Sequence, residues 1–150
     1  MNQDFKLANS NWLGDIKEED KQSILNEISQ LNKQVNEYLS LQEYNSYMRD
    51  LYQNIDLEKT EAELLEFIVP DWVAHRSKEI PQDIQIDEFY EHLEMLILLN
   101  LIHEYSNNKE LPEYKIKKMR DIIRRYSNMP SLWLFLCNIS GQNISSTYSF

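Results

Sequence analysis

The chain has 150 residues, of which 25 are acidic and 15 are Lys or Arg, and its formal net charge is −10. This length predicts one domain that buries an ordinary hydrophobic core without disulfide bonds. The single cysteine, Cys137, excludes an intramolecular disulfide and any cysteine-ligated zinc or iron–sulfur site. Because the chain has only two glycines, Gly14 and Gly141, it also lacks the glycine-rich loops that hold phosphates in nucleotide-binding enzymes.

Apolar residues in the first third of the chain recur at spacings of three and four, which predicts amphipathic helices. The stepping slips at Leu41, so two helices are predicted, at about 16–39 and 41–54, in place of one long helix. Asp15 and Glu18 have the spacing of a capping box and are expected to begin the first of them.

Thr60 and Glu63 form a second capping-box pattern, which predicts the start of a third helix. Pro70 lacks a backbone N–H and its ring clashes with the preceding turn, so this helix is expected to kink or stop there. Asp71 is then expected to cap a short continuation that ends near Lys78.

Cap and proline signals predict the remaining helices at about 87–106, 112–127 and 130–140. Asp87 is expected to cap the first of these after a loop at 79–86. Apolar residues cover more than one face of this helix, and such a helix is usually central in the fold.

These patterns predict an all-α, single-domain bundle of five to seven helices over residues 1–141. A short helical-repeat-like stack is the alternative arrangement, since successive helix pairs of this length permit it. Residues 142–150 are Ser-rich and without periodicity, so a flexible C-terminal tail is expected there. The longest apolar runs have eight residues, too few to cross a bilayer, and no targeting segment is evident, so a cytoplasmic protein is expected.

Charge is distributed unevenly along the chain. Residues 1–108 hold 22 acidic and 8 basic side chains, a net charge of −14, whereas residues 109–150 hold 3 and 7, a net charge of +4. An acidic body repels nucleic acid and attracts basic proteins, so neither nucleic acid nor a membrane is an expected partner. The basic stretch from Lys115 to Arg125 could contact phosphate or an anionic membrane, but we expect its cations to pair with the acidic body.

Few residues have the spacing that catalysis or metal binding requires. His92 and His103 would lie about 16 Å apart along one helix, too far to bind one metal ion. Glu88 and His92 are spaced i,i+4, but no further ligand pattern accompanies them. Cys137 lies in the apolar run LWLFLC, which favours a core position over a reactive one. We therefore expect no catalytic residue, no metal and no cofactor.

Acidic residues are concentrated in two stretches, the first acidic cluster (residues 56–66) and the second acidic cluster (residues 79–94), and the second contains no Lys or Arg. A solvated helix surface is one interpretation of these clusters, and an electrostatic docking surface is the other. The candidate partner-binding residues are Glu61, Glu63, Glu66, Asp83, Asp87, Glu88, Glu91, Glu94 and the aromatic Tyr90.

Small acidic chains of this kind, without catalytic residues, resemble immunity proteins and antitoxins. The resemblance implies a non-catalytic inhibitor that occludes a basic toxin, for example a nuclease, by mimicking the charge of its nucleic-acid substrate. An alternative function is an adaptor or assembly subunit that uses the apolar seam of residues 24–55 to bind a partner helix. A further alternative is a helical enzyme or small-molecule binder with a pocket around Trp72, His75 and His92.

Overall fold

The computed structural model describes residues 11–14, 16–108, 110–126 and 128–139, and 77% of the described residues are helical. Strands are absent from these ranges. A short 3-10 helix (Asn11–Leu13) precedes six α-helices, so the prediction of an all-α bundle of five to seven helices is confirmed. The helices are α1 (Glu18–Tyr38), α2 (Gln42–Asn54), α3 (Glu61–His75), α4 (Ile86–Asn108), α5 (Glu113–Arg124) and α6 (Pro130–Ile139).

Helix α4 lies at the centre of the bundle, as its apolar surface predicts. It contacts α1, α2, α3 and α5, and its residues from Leu93 to Leu99 are all buried. Burying a Leu or Ile side chain stabilises the fold by about 1.5–3 kcal/mol, so this helix makes a large contribution to the core. Because α1 also contacts α6, the helices do not stack pair by pair in sequence order, and the helical-repeat-like stack is not the arrangement observed.

Residues 16–54 form two helices, as the slip in the apolar spacing predicts. Helix α1 ends when the backbone N–H of Leu39 donates to the carbonyl of Val35, and Leu41 is the N-cap residue of α2. The apolar seam of these two helices is buried inside the molecule rather than exposed along it. The adaptor alternative requires an exposed seam, and Leu41 is the one large apolar side chain of residues 24–55 that the structure leaves exposed. Its buried members are Ile24, Ile28, Leu31, Val35, Tyr44, Met48 and Leu51.

The two predicted capping boxes have different outcomes. At α3 the box is confirmed, because the Glu63 N–H donates to Thr60 Oγ1 at 3.2 Å and the Thr60 N–H donates to Glu63 Oε1 at 2.9 Å. At α1 the prediction is wrong, since the N-cap residue is Lys17 and Glu18 is the first residue of the helix. Asp15 lies outside the described residues.

Helix α3 does not stop at Pro70, which was one of the two expectations, but continues through it to His75. Asp71 is inside the helix and does not cap a new one. The proline removes the N–H partner of the Glu66 carbonyl, but both residues are exposed, so water can satisfy that carbonyl.

The predicted cap of α4 is displaced by two residues. The helix begins at Ile86, and two side chains support its first turn: Glu88 Oε1 accepts from the Gln85 N–H at 3.3 Å, and Asp87 Oδ1 accepts from the Glu88 N–H at 2.9 Å. Asp87 lies within that turn, where its negative charge interacts favourably with the positive end of the helix dipole. The expected tail at 142–150 lies outside the described residues.

Candidate acidic interface

The second acidic cluster lies on the turn after α3, the following loop and the first turns of α4. Asp83, Asp87 and Glu88 are exposed, and Glu79 and Glu91 are half-buried. None of these five carboxylates forms an ion pair within the described residues. This part of the surface therefore carries negative charge that no Lys or Arg of the described residues pairs with.

Glu94, the last member of the second acidic cluster, is buried, and the expectation that it is exposed is wrong. Only 3% of the residue is exposed. Its carboxylate accepts a hydrogen bond from Tyr126 Oη at 2.8 Å and forms an ion pair with the guanidinium of Arg125. The segment that follows α5 covers this part of α4. Glu94 lies one helical turn after Glu91, but this segment buries it.

Tyr90 is likewise a core residue and not an exposed aromatic anchor. It is 8% exposed, and burial raises the pKa of its hydroxyl, with the charges of Glu94 and Glu61 adding to the effect. A buried, protonated tyrosine can contribute to a docking surface only by supporting the residues around it.

The first acidic cluster is partly used within the protein. Glu61 Oε1 lies 3.5 Å from Nη1 of Arg125, the same cation that pairs with Glu94. The hydrogen bonds of the Thr60 capping box lower the pKa of Glu63, which keeps its carboxylate ionised. Glu66 is exposed and is in no ion pair among the described residues. Of the candidate residues Glu61, Glu63 and Glu66, only Glu66 has a carboxylate that no described residue is shown to contact.

A surface depression of about 500 Å³ brings two further acids beside the second acidic cluster. Glu43 and Asp50 of α2 line it together with Glu79, and the described lining residues include no Lys or Arg. Sequence reasoning missed both α2 residues. Their spacing of seven places them on one face of a helix, but only the packing of α2 against the end of α3 shows that this face meets Glu79.

Tyr47 also lines this depression, and neighbouring groups hold its side chain in position. Tyr47 Oη donates to Asp71 Oδ2, and the ring of Tyr47 lies 4.7 Å from that of His75, centroid to centroid. His75 Nδ1 is in turn 2.9 Å from the carbonyl oxygen of Asp71. Burial and the Asp71 contact raise the pKa of Tyr47, so its hydroxyl remains a donor at neutral pH. The ring of Tyr47 also stacks on Phe89, and only 8% of the residue is exposed, so the carboxylates of the depression and not the ring are the groups suited to an alkylammonium or guanidinium.

His92 belongs to a separate cluster. Its ring stacks on that of Tyr38 at 3.8 Å between centroids, and its Nδ1 lies 2.8 Å from Tyr44 Oη. Burial lowers the pKa of His92, and the neutral ring can accept a hydrogen bond from the Tyr44 hydroxyl.

The pocket of the small-molecule alternative is not formed as expected. His75 lines the depression, whereas Trp72 and His92 do not. Trp72 is instead buried, with the guanidinium of Arg76 over its ring at 4.6 Å.

The basic stretch is engaged within the protein, as expected. Lys115 Nζ lies 3.0 Å from Glu104 Oε2, and Lys118 Nζ donates to the carbonyl of Lys59 at 2.8 Å. Arg125 is held between Glu61 and Glu94. These pairs support the interpretation that the stretch serves the fold.

Metal binding and nucleophilic chemistry find little support in the described ranges. They contain no group of three or more His, Cys, Asp or Glu residues that could hold a metal ion. Burial raises the pKa of the Cys137 thiol, so little nucleophilic thiolate is present at neutral pH.

Within the same ranges no helix combines the length and apolar character that a membrane span requires. Comparisons with protein-family models, curated proteins and solved structures give no match for the chain.

Proposed function

We propose that this protein is a non-catalytic binding module that inhibits a basic protein, of the kind represented by a nuclease toxin. The observation that carries the proposal is the acidic face, which we define as the five carboxylates of the second acidic cluster without Glu94, together with two from α2. None of the seven is in an ion pair among the described residues, and three of them line one depression. The acidic face consists of Glu43, Asp50, Glu79, Asp83, Asp87, Glu88 and Glu91.

Inhibition by this surface would be occlusion. The active site of a nuclease presents cationic side chains to the phosphates of its substrate, and a face of carboxylates offers those cations an alternative partner. Long-range attraction between opposite charges raises the rate of encounter, and it weakens as salt screens the charges. One Lys or Arg of the partner would enter the depression and pair with Glu43, Asp50 and Glu79.

The test compares the wild-type chain with two variants as baits for proteins of the native host. The acidic-face variant carries Asp83→Lys, Asp87→Lys and Glu88→Lys. A matched control variant carries Glu18→Lys, Glu19→Lys and Asp20→Lys, which makes the same charge change at exposed positions in the first turn of another helix. The α1 helix has 21 residues, so these control positions lie about 30 Å along it from Tyr38, which stacks on α4.

We expect a basic protein to be captured by the wild type and by the control variant, and to be lost from the acidic-face variant. If the captured protein is a toxin, an equimolar amount of the wild type should abolish its activity. A neutral or acidic partner, or equal capture by all three baits, would contradict the proposal.

A further inference from the structure

Helix α3 exposes a continuous apolar surface. Three of the five large apolar side chains that are exposed in the described part of the chain lie on it: Phe67 is 50% exposed, Val69 39% and Val73 62%. Pro70 and Ala74 are exposed beside them, and the spacings of three and four among these residues place them on one broad side of the helix. Soluble monomers rarely leave a contiguous apolar patch uncovered, which suggests that this side of α3 meets another surface.

The charges at the two ends of this surface are opposite in sign. Glu66 lies at the N-terminal end and Lys78 follows the C-terminal end, and both side chains are exposed. Neither is in an ion pair within the described residues. The α3 surface, which we define as Glu66, Phe67, Val69, Pro70, Val73, Ala74 and Lys78, therefore has an apolar centre, an acidic end and a basic end.

We infer that the α3 surface binds a second copy of this chain, with the two α3 helices antiparallel about a two-fold axis that passes between Pro70 and Ala74. A two-fold contact pairs a surface with itself. When the two helices are antiparallel, each end of the surface meets the opposite end of the other copy, so the two ends must carry opposite charges. In the antiparallel arrangement the Glu66 end of each copy meets the Lys78 end of the other, and Pro70 packs against Ala74. A parallel arrangement would instead place Glu66 opposite Glu66, and a uniformly basic partner would be repelled by Lys78.

The size of the contact predicts a weak dimer. Helix α3 has 15 residues and is about 22 Å long, so two such helices in contact bury less than the roughly 1,200 Å² of a stable complex. The net charge of −10 adds repulsion between copies, which 0.15 M salt screens beyond about 8 Å. We expect a dissociation constant on the order of 0.1 mM, a value typical of small and transient interfaces.

The experiment is sedimentation velocity of the full chain at 0.15 M salt, from about 10 μM to about 1 mM. The weight-average mass should rise towards that of a dimer over this range. Val73→Glu should abolish the rise, and the matched control Leu134→Glu, which alters an exposed apolar residue on α6, should leave it unchanged. Circular dichroism would verify that each variant is folded.

A charge exchange tests the antiparallel arrangement itself. Glu66→Lys alone should weaken association at least tenfold, because it places Lys opposite Lys78, and the double variant Glu66→Lys with Lys78→Glu should restore it. A chain that stays monomeric to 1 mM would overturn the inference. So would a dimer that Val73→Glu leaves intact, or a loss by Glu66→Lys that the double variant does not repair. These residues lie outside the acidic face, so the result is independent of the function proposed above.

Discussion

Arg125 and Glu94 form an ion pair that connects the end of α5 to the centre of α4. The Arg125 Nε lies 3.4 Å from Glu94 Oε1, and the Glu94 side chain is only 4% exposed whereas that of Arg125 is 34% exposed. The guanidinium thus covers a carboxylate that would otherwise be buried without a cation. Glu61 contacts the same guanidinium, so the first and second acidic clusters meet at this one residue.

Arg125→Ala should lower the free energy of unfolding by about 2–3 kcal/mol, because it leaves the Glu94 carboxylate buried without a cation, with tyrosine hydroxyls, those of Tyr126 and Tyr90, as donors. Chemical denaturation at pH 7 would measure the loss. As the control, Lys117→Ala removes an exposed pair with Asp121, at 3.1 Å, and should cost under about 1 kcal/mol. Equal effects of the two substitutions would contradict this prediction, because burial would then not determine how much the Arg125 ion pair contributes to the free energy of unfolding.

Glu27 of α1 caps α6 from outside that helix. Its carboxylate accepts the backbone N–H groups of Ser131 and Leu132 at 3.0 Å and 2.8 Å. Glu27→Ala should therefore cost about 1–2 kcal/mol, the range of a lost N-cap. Thermal and chemical unfolding would measure it, with Glu37→Ala, an exposed change on the same helix, expected within about 0.5 kcal/mol of the wild type. The prediction fails if Glu27→Ala and Glu37→Ala unfold alike.

His92 should make stability depend on pH near neutrality. Burial lowers its pKa in the folded state, opposed by Glu88, whereas in the unfolded chain it titrates near 6.5. The unfolded chain therefore binds more protons than the folded protein when the pH lies between these two pKa values. The contribution of His92 to stability is thus complete above about pH 6.5 and is lost as the pH falls from there towards the lowered pKa of the folded state. The thermal midpoint of the wild type should be lower at pH 5.5 than at pH 7.5.

His92→Gln should reduce this fall, because the titrating group is gone. Tyr44→Phe should also reduce it, since the neutral ring then loses its donor and has less preference over the charged form. Tyr38 and Glu88 complete the surroundings of the ring and remain in both variants. If both variants keep the full pH dependence of the wild type, another group is responsible.

Much of the fold could be predicted from local patterns, because they report interactions within a few residues. The Thr60–Glu63 box and the slip at Leu41 are of this kind, and both mark helix boundaries in the structure. The apolar coverage of α4 likewise predicts its central position, since a helix that is apolar on most sides must be covered on most sides. Pro70 was harder to interpret, because its effect depends on whether water reaches the Glu66 carbonyl.

The candidate site was less predictable, because it depends on contacts between residues far apart in the chain. Glu94 follows Glu91 by one turn, and nothing in that spacing indicates that Arg125 and Tyr126 will cover it. Glu27 acts as a cap for a helix more than one hundred residues away. The contribution of α2 to the acidic face could not be predicted for the same reason, since it requires the packing of α2 against the turn after α3.

The most direct test of the proposed function is the association rate of the purified basic partner as a function of salt. The measurement uses the wild type, the acidic-face variant and the control variant defined above. We expect the acidic-face variant to associate at least about tenfold more slowly than the other two at low ionic strength, and the difference to shrink as salt rises. Its dissociation rate should change less. If the three proteins associate at the same rate at low salt, the acidic face is not the docking surface and the central claim is wrong.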